Sequence, residues 1–246
     1  MRLTFNYKAG LLVVLMLCFQ ACQSPESEES SLIELDPVAT GKSFNAAFLI
    51  IDGVYNSELM APYDIFQHTI FHTEGGIKVF TIAPEKDTVV TFEGLKLIPD
   101  YSFDEAYPEI DILVVPSAEH NMDTDLDNKT LIDFVSSTGA KADYTMSLCD
   151  GAFVLAKAGL VDGKISTTFP SDIGRYRETF PSLDVKEGLT FVHDGNLLTS
   201  AGGAKSYDVA LYLVHHLYGD QIAKNVGKGL VIDWNLTDYQ FFRVEK

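Results

Sequence analysis

Cysteine is scarce in this chain: three residues, Cys18, Cys22 and Cys149, in 246. That is too few for a disulfide scaffold. Basic residues are scarce too. Lys and Arg number 18 against 35 Asp and Glu, a net charge of −17. Such an excess repels phosphates, so no nucleic-acid surface is expected. Gly-x-Gly-x-x-Gly and Gly-Lys-(Ser/Thr) are both missing, which removes the usual phosphate loops. No set of His, Cys or carboxylates has a metal-ligand spacing. Asp123 to Asn128 loosely resembles a calcium loop but lacks its sixth-position Gly and twelfth-position Glu, and reads better as a polar helix entry. Neither metal nor cofactor is therefore expected. What is present is an ordinary globular mix, 46% hydrophobic and 22% charged. It excludes a largely disordered, collagenous or coiled-coil chain.

The first residues read as an address. Arg2 and Lys8 precede an apolar run from Leu11 to Phe19, then Ala21-Cys22 and a polar stretch. The run is shorter than the roughly 20 residues of a membrane span and fits a secretory signal. The arrangement resembles a bacterial lipoprotein signal with Cys22 as the lipidated residue, although Phe19 and Gln20 depart from its usual form. The expected organisation is a signal peptide over 1–21, a flexible Ser/Glu/Pro-rich tether over 22–44, and one domain over 45–246. The product would be exported and lipid-anchored in a bacterial envelope. Cys149 would then be the lone free thiol, without a disulfide partner in its own chain.

Within the domain, apolar runs at 46–51, 77–83, 110–115, 144–148 and 196–200 read as strands, the first ending at Asp52-Gly53. Segments 88–92 and 96–98 flank a turn and read as a hairpin. Helical spacing marks 57–68, with Ser57 as its cap and Pro62 near its start, and also 128–137, 151–158 and 204–218. Strands alternating with helices predict a parallel sheet covered on both faces. Ligands bind such sheets at the carboxyl ends of the strands, which singles out the turns after Ile51 and Leu148. The aromatic tail from Trp234 to Phe242 is expected to pack on the domain or a second copy.

Ser147-Leu148-Cys149-Asp150-Gly151-Ala152-Phe153 carries the strongest chemical signal. A nucleophile between a strand and a helix sits raised on an elbow. The N–H groups and partial positive charge of the helix start favour thiolate, so the thiol pKa is expected to fall. A buried core cysteine is the plainer reading; Gly151 and Ala152, which permit a tight turn, favour function. From Cys149 through Thr168 the chain closely resembles the elbow segment of the DJ-1/PfpI superfamily. Asp52-Gly53-Val54 with Glu58 to Phe66, and Asp194 to Gly203 with Asp208 following, resemble it as well. The nearest likeness is to the isocyanide-hydratase-like proteins and the sensor domains of some transcription regulators.

That resemblance implies a flavodoxin-like three-layer α/β sandwich with a mainly parallel sheet, usually dimeric. It implies catalysis by an elbow cysteine, here Cys149, and a carboxylic acid from the helix after the first strand, here Glu58. Like charge and burial would push Glu58 toward its protonated form, able to donate to the sulfur and shuttle its proton. Relatives place Pro-Gly-Gly after the third buried strand. This chain has Pro116-Ser117-Ala118-Glu119-His120, whose Ala118 N–H could join that of Asp150 in an oxyanion cradle. Asp52, Gly53, Ser117, Phe169 and Asp208 complete the candidate pocket, while Glu119 and His120 either enter it or face water as loop residues. Asp150 replaces the His that family proteases carry after the cysteine, and Phe169 the His usual after Thr-Thr, which argues against protease or glutamine amidotransferase activity. The expectation is cysteine-dependent hydratase or lyase chemistry on a small electrophile, such as isocyanide hydration or reactive-carbonyl removal. The alternative is a non-catalytic ligand-binding or redox-sensing domain.

Overall fold

The structure, a computed structural model, describes residues 37–39 and 41–244. The expected signal peptide, Cys22 and most of the tether lie outside the described residues. Val38 and Ala39, within the segment expected as a tether, donate to the carbonyls of His216 and Leu217.

Twelve strands are found among the described residues: β1 Phe44–Leu49, β2 Ile77–Ala83, β3 Val89–Val90, β4 Lys96–Leu97, β5 Tyr101–Ser102, β6 Ile112–Val115, β7 Tyr144–Leu148, β8 Ile165–Ser166, β9 Asp184–Val185, β10 Phe191–Asp194, β11 Leu197–Ser200 and β12 Phe241–Arg243. The helices are α1 Asn56–His68, α2 Lys129–Gly139, α3 Gly151–Lys157, α4 Ile173–Thr179, α5 Ser206–Tyr218 and α6 Asp220–Gly229. Eight strands form one sheet in the order β12-β10-β11-β7-β6-β1-β2-β5. All its pairings are parallel except β10 with β11. The expected hairpin is the separate antiparallel pair β3 and β4.

Alternation along the strands builds two cores. Phe44, Ala46 and Phe48 of β1 and Ile112 and Val114 of β6 face one way, packing with residues of α1, α5 and α6. Ala47, Leu49, Leu113 and Val115 face the other way, toward α2, α3 and α4. Burial on both faces explains why β1 and β6 read as unbroken apolar runs. It also explains α5, which is apolar nearly all round and buries every residue except Tyr207.

Local chemistry departs from expectation in α1. Tyr55, not Ser57, is the cap and makes no side-chain capping bond, while Ser57 lies within the helix. Pro62 lies inside α1 and is buried. Its missing N–H removes the helical donor for the Glu58 carbonyl. Asn128 does cap α2, accepting from Leu131 N at 3.2 Å. The tail packs on its own domain: β12 joins the sheet edge beside β10, and buried Trp234 stacks on Tyr239.

Candidate functional site

Four parallel strands deliver the site. The register pairs Val115 with Ser147 and Leu148 with Ser200, so β6, β7 and β11 end together. Pro116-Ser117 leaves β6, Cys149 leaves β7 and Gly202-Gly203 follows β11. The neighbouring β1 leads through Gly53 into α1 and Glu58.

Cys149 occupies the elbow at φ +51°, in the left-handed region. For a residue with a Cβ this conformation costs about 1–2 kcal/mol, and such strain concentrates at functional sites. Two glycines make room for it. A Cβ on Gly202, itself at φ +73°, would lie 2.3 Å from the Cys149 Cβ, and one on Gly151 would lie 2.1 Å from the Val115 carbonyl oxygen. Cys149 N donates to Ser200 O at 3.1 Å, closing the turn onto β11.

Glu58 reaches the elbow from α1. Its side chain is clasped by two main-chain donors: Ser117 N to Oε2 at 3.0 Å and Gly203 N to Oε1 at 3.1 Å. It lies near enough to Cys149 for each group to perturb the other's titration. The carboxyl thus joins the turns after β6 and β11 beneath the elbow. Glu58 is 4% and Cys149 7% exposed, so the pair is nearly dry.

A second carboxyl reaches the same sulfur. The Cys149 thiol donates to Asp150 Oδ2 at 3.6 Å. Thr168 Oγ1 holds the other oxygen, Oδ1, at 3.1 Å and also lies 3.0 Å from Cys149 O. The Asp150 N–H is directed at the sulfur, and the buried Ser117 hydroxyl lies beside it.

These surroundings overturn the expected fall in the thiol pKa. Burial pushes the Cys149 thiol well up, and the Glu58 and Asp150 charges add to the rise; the Asp150 N–H and the neighbouring Ser117 hydroxyl offset only part of it. Burial raises Glu58 as well, against the lowering by its two N–H donors and the thiol. Asp150 is pushed up to about 6, first by burial and then by the Asp172 charge. One small dry site cannot hold three negative groups, so its protons titrate jointly.

The remaining candidates divide. Ser117 belongs to the site. Phe169, 39% exposed, follows Thr168 at the rim. Ala118 is buried, but its N–H donates to Asn121 Oδ1 at 2.8 Å, so the expected Ala118–Asp150 cradle keeps only the Asp150 N–H. His120 is exposed and paired with Asp123 at 3.2 Å, facing water and not the pocket. Asp52 is exposed and accepts from Val90 N at 2.8 Å, and Gly53, at φ +79°, donates to Val90 O. Both fasten the β3–β4 hairpin. Asp208 is paired with Lys205 at 3.2 Å, within the first turn of α5. Thr168 and Gly203 were not singled out from sequence, though both stand inside the segments that carry the resemblance. Among the described residues no group of His, Cys, Asp and Glu is arranged to hold a metal.

Comparison with known proteins agrees with this architecture. Residues 45–216 match the DJ-1/PfpI family. An isonitrile hydratase of Pseudomonas putida is 31% identical over 182 residues, covering 73% of this chain and 74% of the relative. Protein dj-1beta of Drosophila melanogaster is 27% identical over 196 residues, covering 78% of this chain and all of that protein. Its crystal structure aligns with a TM-score of 0.66 at 24% identity over 78% of this chain and 100% of that one. A ThiJ/PfpI family protein from Pseudomonas syringae gives 0.69 at 21% identity over 89% of this chain and 85% of that one. At these identities the two structures establish the fold alone. Fold and family match together establish that the chain belongs to the DJ-1/PfpI family.

Proposed function

We propose that this protein transforms a small electrophilic molecule through covalent attack by Cys149, in hydratase- or lyase-type chemistry. The observation that carries the reading is the strained elbow at Cys149 with the buried Glu58 carboxyl clasped beside it by two main-chain N–H groups. The neutral form of Glu58 donates a hydrogen bond to the sulfur and so supports the thiolate as it forms. The Asp150 N–H and the Ser117 hydroxyl also favour the thiolate. The resemblance to an isonitrile hydratase supports isocyanide hydration as the first activity to assay, and removal of a reactive carbonyl compound as the second.

Redox sensing is the weaker reading. Oxidation begins at thiolate, whereas burial and two carboxyl groups keep this thiol protonated at rest. The negative balance of the chain disfavours a nucleic-acid partner. The leader resemblance supports an exported protein anchored through Cys22, and the family resemblance supports a homodimer. Incorporation of a fatty-acid label that Cys22→Ala abolishes, and light scattering of the soluble domain, check those two points.

The direct test incubates the full chain with an aryl isocyanide and, separately, with an α-oxoaldehyde. Wild type is expected to consume one of them and Cys149→Ala neither, with an unchanged circular dichroism spectrum. Equal turnover by folded Cys149→Ala refutes the reading.

A further inference from the structure

Two carboxyl groups neighbour one sulfur here, and they are held differently. Both oxygens of Glu58 receive main-chain N–H groups. That arrangement fixes Glu58 in place. Asp150 is fixed only at Oδ1, by Thr168, while its Oδ2 receives the thiol proton. Asp150 is itself 7% exposed, so bulk water does not compete freely for that proton. The side chain follows the cysteine directly, on the elbow itself, and travels with the sulfur.

We propose that the Asp150 carboxylate is the catalytic base that takes the Cys149 proton and the acid that returns it to the substrate. In the forward step the S–H bond breaks and an O–H bond forms at Oδ2. The sulfur pair makes a C–S bond to the electrophilic carbon, displacing a π pair that becomes a lone pair on the substrate. The proton on Oδ2 then captures that pair, so no external acid, base or oxidant is consumed. The net charge of the site is the same before and after the transfer. The charge moves from Asp150 to sulfur and from sulfur to substrate. This role rests on the reading of Cys149 as the nucleophile.

The groups facing Asp150 are the Cys149 thiol, Glu58 from α1, Asp172 from the turn before α4, and the Tyr55 phenol ahead of α1. Acidic neighbours and burial hold its carboxyl near 6, which places a base of suitable strength in its ionised form at neutral pH.

The test follows alkylation of Cys149 by iodoacetamide from pH 4.5 to 10 in the full chain, with peptide mass mapping to read Cys149 alone. In wild type the rate is expected to climb through an inflection near pH 6. In Asp150→Asn that inflection is expected to vanish, with at least a tenfold lower rate at pH 7 and recovery only in alkali. Thr168→Val, which removes a hydrogen bond to Oδ1 without touching the sulfur, is expected to move the inflection upward; it decides the matter if Asp150→Asn does not fold. An inflection near pH 6 that survives in Asp150→Asn, or faster alkylation of that variant at pH 7, overturns the role of Asp150 and leaves Cys149 as nucleophile. No alkylation of wild type at any pH overturns both.

Discussion

Gly202→Ala probes the packing that holds the elbow. Gly202 sits at φ +73°, and an added methyl would stand 2.3 Å from Cys149 Cβ, 2.7 Å from Cys149 N and 2.8 Å from Cys149 Cα. Two penalties combine. A side chain in the left-handed region costs about 1–2 kcal/mol. Forcing a methyl into a filled site typically costs a further ~1–3 kcal/mol, because backbone must move. Gly163 separates them. It has nearly the same φ, +71°, and nothing lies within 4 Å of the place an added methyl would take, so Gly163→Ala carries the conformational penalty alone. Urea unfolding of the two variants is therefore expected to give losses of about 2–5 kcal/mol for Gly202→Ala and about 1–2 kcal/mol for Gly163→Ala. For a domain of this size each kcal/mol lowers Tm by about 2–4 °C. Gly202→Ala should also slow Cys149 alkylation, since the sulfur is displaced from its partners, whereas Gly163→Ala should not. Equal destabilisation of the two variants, with equal alkylation rates, refutes the claim that Gly202 makes room for the cysteine.

Glu58→Gln keeps the shape but presents an amide NH2 to one of two main-chain donors, leaving the Ser117 or Gly203 N–H unsatisfied. Denaturation should register a loss of about 1–3 kcal/mol, and turnover should fall about 100-fold or more; undiminished turnover contradicts the role of Glu58. Histidine burial predicts an acid limb in stability. His193 and His216 are both depressed to about 4, chiefly by burial. The unfolded chain binds their protons near pH 6.5 and the folded chain does not, so their stabilising contribution is complete above 6.5 and is lost as pH falls toward 4, by about 3 kcal/mol each. Asp150, raised in the fold to about 6, works in the opposite direction over the same range. His216→Phe removes one histidine contribution, so its unfolding free energy should fall less steeply between pH 6.5 and 4 than that of wild type; identical slopes refute the assignment.

The fold was legible where burial leaves a continuous signature. Runs such as 46–51 and 144–148 mark strands covered on both faces, and the observed β1 and β7 lie there. The edge was less legible. Phe191 to Asp194 forms β10 through a tight hairpin at Gly195-Asn196, and β12 is set by tertiary contact of the tail with β10, neither of which has a long periodic pattern. In the site, Cys149 and Glu58 stand out from the sequence because a residue type and a segment likeness agree. The electrostatics were misjudged. A helix start favours thiolate, but that pull is local, while burial and two neighbouring carboxyl groups act together and win. Whether the Ala118 N–H is free could not be read from sequence either, because its partner Asn121 lies in a loop without a regular pattern. Asp52 illustrates the same limit: it is a polar residue beside the right strand end, and its neighbours turn it to the hairpin.

The central claim is that the sulfur of Cys149 bonds to the substrate. Rapid acid quenching of the full chain during turnover of an aryl isocyanide or an α-oxoaldehyde, followed by peptide mass mapping, tests it directly. The account predicts a mass increase equal to the bound electrophile on the peptide containing Cys149, absent from Cys149→Ala. Turnover that proceeds with Cys149 unmodified at every quench time, or an adduct confined to other residues, contradicts it.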